Sequence, residues 1–193
     1  MGSRLRKSSY FLIKYMYREV NNESFMKDNR FVFQSIGIIH SPHKEISKIP
    51  IQPVFCNDIE GTIILNNRYI DGLKDLQGFS HIYLFYYFNH SQKTCLRLKP
   101  YLSDHEHGIF ATRAPHRPNK LGMSLVRLDR IENNTLYVKD LDILDGTPLL
   151  DIKPYIQRFD SREDVKSGWQ DTVLNDVATV RGLRDFKSQK GKS

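Results

Sequence analysis

The chain has 193 residues, of which 39% are hydrophobic and 26% are charged, and its formal net charge is +7. These totals are typical of one folded domain with tails, and they exclude an intrinsically disordered chain. No apolar run approaches the length that spans a bilayer, so we expect no segment inserted in a membrane. The basic excess favours an anionic partner, with nucleic acid first and an acidic membrane surface second.

Residues 1–30 are expected to form a flexible N-terminal extension. The basic start and the short apolar run resemble a signal peptide, but Lys14 interrupts the run and no small-residue cleavage site follows, which argues against export. We assign residues 31–157 to one folded domain. Apolar periodicity fades beyond it, so we expect residues 158–193 to form a flexible C-terminal tail.

Alternating and apolar runs predict about seven strands and one short helix. The predicted strands cover residues 31–38, 61–65, 81–88, 108–111, 124–131, 135–141 and 149–152. Ile70, Leu73 and Leu76 lie at helical spacing and predict the helix, with Gly78 as its end. Strands without alternating helices favour an all-β fold, an antiparallel barrel or sandwich, and argue against a doubly wound nucleotide-binding fold.

The predicted strand over residues 81–88 is the strongest core element, because it is apolar and aromatic on both faces. We expect such a strand to be buried on both sides, in a closed barrel or at a subunit interface. It ends at Asn89 and His90. Polar side chains at this position either line the mouth of a ligand site or simply mark the exit of the strand.

The cysteines and histidines predict neither a disulfide framework nor a metal centre. Cys56 and Cys95 are too few to staple a chain of this length, and neither belongs to a cluster with zinc-ligand spacing. We expect both to be reduced thiols in a cytoplasmic protein. His105 and His107 form a His-x-His pair, but without further ligands nearby in sequence they favour a polar turn.

A stiff basic loop follows the predicted strand at residues 108–111. Pro115 and Pro118 restrict its backbone. Its long polar side chains are Arg113, His116, Arg117, Asn119 and Lys120. Such a loop either presents fixed charge to an anionic or polar ligand or is a solvated basic turn.

Several rare strings occur in the same order in one known family. They are Phe110-Ala-Thr-Arg113, Arg117-Pro118-Asn119 with Gly122-Met123-Ser124-Leu125, Ile36-Gly37 with Ser41-Pro42, Gly78-Phe79-Ser80-His81, and much of residues 142–155. On these motifs the chain resembles the TsaA-like family, whose best understood members are the TrmO tRNA methyltransferases. The resemblance implies a single-sheet antiparallel β-barrel that forms a homodimer and binds S-adenosylmethionine near the subunit contact. It also implies methylation of threonylcarbamoyladenosine beside the anticodon of tRNA.

The resemblance also implies site residues. The cofactor pocket is expected at Pro50, Ile51, Gln52, Asn89, His90, Arg113, Met123, Asp142, Ile143, Leu144 and Asp145. A guanidinium suits the carboxylate of the cofactor, carboxylates suit its ammonium or ribose diol, and amides suit its adenine edge. Contacts to tRNA phosphates or to the threonyl carboxylate are expected from Arg117, Asn119, Lys120 and Arg127.

The same residues leave alternatives open. The candidate acceptors for the proton of the methylated nitrogen are Asp145, His90, His116 and water. Asp145-Gly146 is also a common hairpin turn, and Asn119 also suits a loop brace. At the level of function, the alternatives are a methyltransferase for another RNA base or a small molecule, and an RNA-binding barrel without catalysis.

Overall fold

The computed structural model describes residues 31–184. The expected N-terminal extension, residues 1–30, and the last part of the expected tail, residues 185–193, lie outside this range. The contacts divide the chain into two units after Phe33, and every strand and helix of the described residues belongs to the second unit. Residues 31–36 form no strand, so the strand predicted from residue 31 begins only at Gly37.

Six antiparallel strands close into a barrel. In chain order the strands are β1 (Gly37–His40), β2 (Gly61–Leu65), β3 (His81–Tyr87), β4 (Arg97–Leu98), β5 (His107–Gly108), β6 (Leu121–Glu132), β7 (Thr135–Lys139) and β8 (Thr147–Pro154). The order around the barrel is β1-β2-β7-β6-β3-β8, and β8 pairs again with β1. The short strands β4 and β5 pair only with each other. The predicted single-sheet antiparallel barrel is therefore confirmed, with six barrel strands where about seven were predicted.

Helical structure is short. Turns of 3-10 helix cover Ile46–Lys48, Pro53–Phe55, Asn67–Leu73, Leu76–Gly78, Ile109–Ala111 and Gly168–Thr172, and the α-helices are α1 (Gln157–Asp160) and α2 (Asn175–Leu183). The predicted helix near residues 70–76 is thus two 3-10 segments, separated where Asp75 adopts a left-handed backbone with φ 67°. Residues 158–184 were expected to be part of a flexible tail, but residues 168–184 contain a 3-10 turn and α2 and contact the barrel loops.

The hydrophobic core fills the inside of the barrel, because alternate residues of each strand point inward. Its buried members are Ile39, Ile63, Leu65, Ile82, Leu84, Tyr86, Val126, Leu128, Leu136, Val138, Leu141, Ile143 and Leu149. Within this one chain only the inner face of β3 is fully buried, and burial of its outer face at a subunit interface stays a prediction. Its inward side chains are buried, whereas Tyr83 and Phe85 on its outer face are half-buried and Tyr87 is exposed. A closed barrel has only one interior, so the outer side chains of β3 lie outside the core.

Two further sequence expectations concern cysteines and membrane helices. Cys56 is buried and Cys95 is half-buried, and both are free thiols. Burial raises the pKa of the Cys56 thiol, which keeps it protonated. Among residues 31–184, no helix has the length and hydropathy needed to cross a bilayer.

Candidate functional site

Three loops leave the barrel at the same end. They connect β1 to β2 (residues 41–60), β3 to β6 (residues 88–120) and β7 to β8 (residues 140–146). The antiparallel pairing around the closed sheet requires this, because β1, β3 and β7 run toward that end while β2, β6 and β8 start from it. We call it the site end. Every expected cofactor residue lies on one of these loops, except Met123, which lies near the start of β6.

Gln52 and Arg113 join two of these loops. Arg113 Nη1 donates a hydrogen bond of 2.6 Å to Gln52 Oε1, and Gln52 Nε2 donates to the carbonyl of Ile51 at 2.7 Å. The Arg113 charge also lowers the pKa values of Asp142 and Tyr86, against the larger effect of burial. The guanidinium therefore acts electrostatically on Asp142 in the β7–β8 loop and on Tyr86 in the core.

Asp142 ends a polar chain that reaches into the barrel. Ser124 Oγ donates to Asp142 Oδ1 at 2.6 Å, and the Tyr86 hydroxyl lies 3.1 Å from Ser124 Oγ. Because Ser124 has one hydroxyl proton and gives it to Asp142, the Tyr86 hydroxyl donates to Ser124. Burial raises the pKa of Asp142 to about 7, with partial compensation from Ser124 and Arg113. This carboxyl can therefore exchange a proton near neutral pH.

Gly122 allows Tyr86 to occupy its position in this chain. Gly122 and Tyr86 are directly opposite each other on β6 and β3. A Cβ atom at residue 122 would collide with the ring of Tyr86. The motif Gly122-Met123-Ser124 thus combines the space for the ring with the hydroxyl that receives its hydrogen bond.

Asp145 belongs to the same turn as Asp142 but has different partners. Its carboxylate accepts from the backbone N–H of Ser41 at 3.1 Å, lies 3.3 Å from His40 Nδ1 and pairs with Lys44 Nζ at 2.5 Å. The Lys44 contact is the main cause that lowers the pKa of Asp145, although burial opposes it. Asp145 is therefore a weaker base than an unpaired carboxylate, which disfavours it as a proton acceptor.

Residues 38–161 match the family model described as the tRNA-methyltransferase O N-terminal domain. The chain belongs to the TrmO family. A probable S-adenosyl-L-methionine-binding protein of Pyrococcus abyssi is 48% identical over 149 residues, which cover 77% of this chain and 81% of the relative. A human tRNA (adenine(37)-N6)-methyltransferase is 30% identical over 147 residues, which cover 72% of this chain and 33% of the relative.

The fold agrees with a solved TrmO structure. The crystal structure of TrmO from Pseudomonas aeruginosa superposes with a TM-score of 0.62 at 35% identity. The match covers 72% of this chain and 62% of that chain. The chain therefore spans less than two thirds of this TrmO structure and about a third of the human relative.

The remaining expected cofactor residues fall into three environments. Pro50 and Ile143 are buried, so their side chains pack into the protein interior. Ile51 and Leu144 are half-buried. Asn89 and His90 are exposed just beyond the end of β3, at the site end. Met123 is 40% exposed on the outer face of β6, opposite Phe85 and on the other side of the strand from Ser124.

His116 and Arg117 brace the loop that carries Arg113. His116 Nδ1 lies 3.1 Å from Ser91 Oγ, which itself donates to the carbonyl of Pro115 at 3.1 Å. Arg117 Nη1 donates to the carbonyls of Ile109 and Thr112, at 3.2 and 2.7 Å. These contacts use polar groups that the sequence interpretation reserved for catalysis and for tRNA. These hydrogen bonds stabilise the conformation of the basic loop.

Arg127, which was expected to contact tRNA, is paired with two carboxylates. Its guanidinium donates to both oxygens of Asp140, at 2.6 and 3.1 Å, and also pairs with Asp58. Two carboxylates thus balance its charge, which makes it a poor ligand for a phosphate. Asn119 is exposed and Lys120 half-buried on the loop that carries Arg113, with Lys120 in a left-handed backbone conformation, φ 51°.

Tyr86 and Ser124 are the site residues that sequence reasoning missed. A signal for Ser124 was available, because alternation along β6 puts it on the same face as Val126 and Leu128. A hydroxyl on an apolar face must find a hydrogen-bond partner in the folded protein. Among residues 31–184, no group of three or more His, Cys, Asp or Glu side chains is placed to hold a metal ion.

Proposed function

We propose that this chain is an S-adenosylmethionine-dependent tRNA methyltransferase whose cofactor binds at the site end of the barrel. The relatives support this, since the Pyrococcus abyssi protein is named for binding S-adenosyl-L-methionine and the human relative is named a tRNA (adenine(37)-N6)-methyltransferase. The observation that carries the proposal is that Arg113 and Gln52 are hydrogen-bonded across two loops at the end of the barrel where a third loop carries Asp142.

The donor set fits the cofactor. The guanidinium of Arg113 matches a carboxylate, the partly buried carboxyl of Asp142 matches an ammonium or a ribose diol, and the amide of Gln52 matches an adenine edge. Leu144 and Ile51 are half-buried beside these groups in sequence and supply apolar cover for a base. Pro50, Ile143, Asn89 and His90 complete the proposed pocket as backbone or rim residues.

The protein contributes mainly orientation to the proposed reaction. S-adenosylmethionine supplies a methyl group activated by a sulfonium, which is a good leaving group. Fixing the acceptor nitrogen in line with that methyl group is worth up to about 7–11 kcal/mol. The nitrogen also loses a proton. Of the three candidate proton acceptors, Asp145 pairs with Lys44 and His116 lies within hydrogen-bond distance of Ser91. His90, exposed at the site end, and water are therefore the acceptors we propose.

We further propose that the methylated atom is the exocyclic nitrogen of threonylcarbamoyladenosine beside the anticodon. The name of the human relative, which places its methylation at adenine 37, supports this choice. The threonyl carboxylate and the anticodon-loop phosphates require cations and donors. Lys120 and Asn119 lie on the loop that carries Arg113, and we assign these contacts to them rather than to Arg127. A cytoplasmic location belongs to the same proposal, because the substrate is tRNA.

A homodimer is also part of the proposal. The outer faces of β3 and β6 carry three apolar cross-strand pairs, Tyr83 with Leu125, Phe85 with Met123, and Tyr87 with Leu121. We call these six residues the outer stripe. Tyr87, Leu121 and Met123 are 37%, 42% and 40% exposed, and a contiguous apolar patch of this kind is typical of a protein–protein interface. The stripe includes Met123, which agrees with a cofactor pocket near the subunit contact.

Nucleoside analysis tests the enzyme proposal. The full chain is incubated with S-adenosylmethionine and tRNA from cells that lack the gene, and the digested nucleosides are separated by mass. We expect a gain of one methyl group on threonylcarbamoyladenosine, and a clearly slower gain with Arg113→Ala. Methyl transfer to another base identifies a different substrate, and tRNA binding without any methyl transfer identifies a non-catalytic RNA-binding barrel.

A further inference from the structure

A segment beyond the family domain crosses two of the site loops. The match to the TrmO domain ends at residue 161, whereas the ordered chain continues through the 3-10 turn Gly168–Thr172 and helix α2. We call residues 168–184 the strap. The sequence pattern gave no reason to expect it, because its contacts are made largely with backbone groups of the loops.

One end of the strap holds the loop that carries Arg113. The indole Nε1 of Trp169 donates to the carbonyl of Ala111 at 2.9 Å. Its ring stacks on His107 with a centroid distance of 4.5 Å and an angle of 20°. Ala111 is two residues before Arg113, so Trp169 fixes the point from which the Arg113 side chain extends.

The other end holds the loop that carries Gln52. The carbonyl of Gly182 accepts from the backbone N–H of Ile51 at 3.0 Å, directly beside Gln52. Gly182 also lies against the ring of Phe55, so close that a Cβ atom there would come within 2.5 Å of the ring. A glycine at this point of α2 lets the helix approach the loop backbone.

Arg184 and Arg181 extend this attachment to neighbouring chain segments. Arg184 Nη1 donates to the carbonyls of Ile46 and Ile49, at 2.7 and 3.2 Å, and its Nη2 lies 2.7 Å from the Tyr101 hydroxyl. Arg181 pairs with Asp104 at 3.3 Å. Backbone carbonyls of a loop need partners, and here one guanidinium supplies two of them.

From these contacts we infer that the strap is a positioning element that sets the spacing between Gln52 and Arg113. The inference rests on the proposed function, because the spacing matters through cofactor binding. The two loops contain little regular structure and meet through one exposed hydrogen bond, which alone restrains them weakly. Holding both loops from outside pre-organises the site, and pre-organisation raises affinity without a new contact to the ligand.

Two variants and one control test the strap in the full chain. Trp169→Ala removes the anchor on the Arg113 loop, and Gly182→Ala presses α2 away from Phe55. Val180→Ala changes a side chain on α2 that is 71% exposed and serves as the control. Trp169→Phe keeps an aromatic stack on His107 but removes the indole N–H.

Calorimetric affinity for S-adenosylmethionine and amide hydrogen exchange of the cofactor-free protein are the two readouts. Trp169→Ala and Gly182→Ala should weaken binding about five- to tenfold, with Trp169→Phe between Trp169→Ala and the wild type. Exchange should rise at residues 109–113 and 51–56 while the barrel strands keep their protection. Val180→Ala should match the wild type in both readouts.

The outcomes separate the inference from the proposed function. A wild-type protein that binds no S-adenosylmethionine contradicts the proposed function, and the exchange data then still decide whether the strap holds the loops. Unchanged loop exchange in Trp169→Ala and Gly182→Ala overturns the strap inference whatever the affinity. Wild-type affinity in both variants overturns the positioning role. Exchange that rises equally in the barrel strands overturns it too, because it indicates general destabilisation.

Discussion

Arg113 and Gln52 are 61 positions apart in the chain, yet Arg113 donates a hydrogen bond of 2.6 Å to Gln52. One lies between β3 and β6 and the other between β1 and β2. They meet because a closed antiparallel barrel brings alternate connections to one end, which is also the end where the β7–β8 turn carries Asp142. The proposed cofactor site is thus a product of barrel closure rather than of any local motif.

Cofactor affinity should depend on pH through Asp142. Burial raises the pKa of this carboxyl to about 7, so its ionised fraction grows as the pH rises from about 6 to about 8. The ionised form accepts hydrogen bonds from an ammonium or a diol, and affinity for S-adenosylmethionine should rise over the same interval. Calorimetric titrations across this range measure the effect.

Two substitutions complete this pH test. Asp142→Asn should bind more weakly and without the slope, because it cannot ionise. Asp145→Asn should keep the slope, since Lys44 lowers the pKa of Asp145 and its carboxylate is already ionised throughout the interval. A wild-type affinity that is flat from about pH 6 to about pH 8 contradicts the role of Asp142.

Lys120→Ala and Arg127→Ala should affect tRNA binding differently. Lys120 lies on the basic loop, and loss of one phosphate contact reduces the slope of log affinity against log salt by about one. Arg127 is balanced by Asp58 and Asp140, so its removal should leave the slope nearly unchanged. Filter binding over a salt series measures both slopes. Equal loss of slope in the two variants would refute the assignment.

Phe85→Ser should convert the proposed dimer into a monomer. Phe85 lies in the middle of the outer stripe, paired with Met123 across β3 and β6, and it points away from the core. A hydroxyl there removes apolar area from the interface without opening a cavity in the barrel. Sedimentation velocity measures the mass, with Val54→Ser, at a residue 72% exposed elsewhere, as control. A monomeric wild type, or an unchanged dimer in Phe85→Ser, contradicts the proposal.

Gly122→Ala should destabilise the barrel. The added Cβ meets the buried ring of Tyr86, which has no room to move inside the core. Overpacking of this kind costs about 1–3 kcal/mol in the free energy of unfolding. Urea denaturation measures it. Gly108→Ala is the matched control, because nothing lies within 4 Å of a Cβ there and its φ of −62° suits alanine. Equal stability of both variants would show that Tyr86 adapts.

Local sequence patterns predicted the bounds of the strands better than they predicted which strand faces are buried. Strand β2 was predicted at its observed bounds, because its apolar run is bounded by turn signals. The aromatic outer face of β3 was predicted as buried, since an apolar residue gives the same signal whether it packs inside a barrel or outside it. Ile70, Leu73 and Leu76 are three apart, which suits a 3-10 helix as well as an α-helix.

The arrangement of the candidate site could not be predicted from local sequence patterns. Gln52, Arg113 and Asp142 entered through the family resemblance, and barrel closure explains why their three loops lie at one end. Arg127 looked like a free cation in the sequence, because its partner Asp58 is 69 positions away. The strap was missed for a related reason. Trp169 donates its indole N–H to a backbone carbonyl, and such a hydrogen bond produces no periodic pattern in the sequence.

Calorimetric titration of S-adenosylmethionine into the wild-type chain and into Arg113→Ala, side by side, tests the central claim most directly. The account predicts one cofactor per chain for the wild type and an affinity at least about tenfold weaker for Arg113→Ala, because a charge-assisted contact is lost. No heat of binding in the wild type, or equal affinity in the two proteins, would contradict a cofactor site at this end of the barrel.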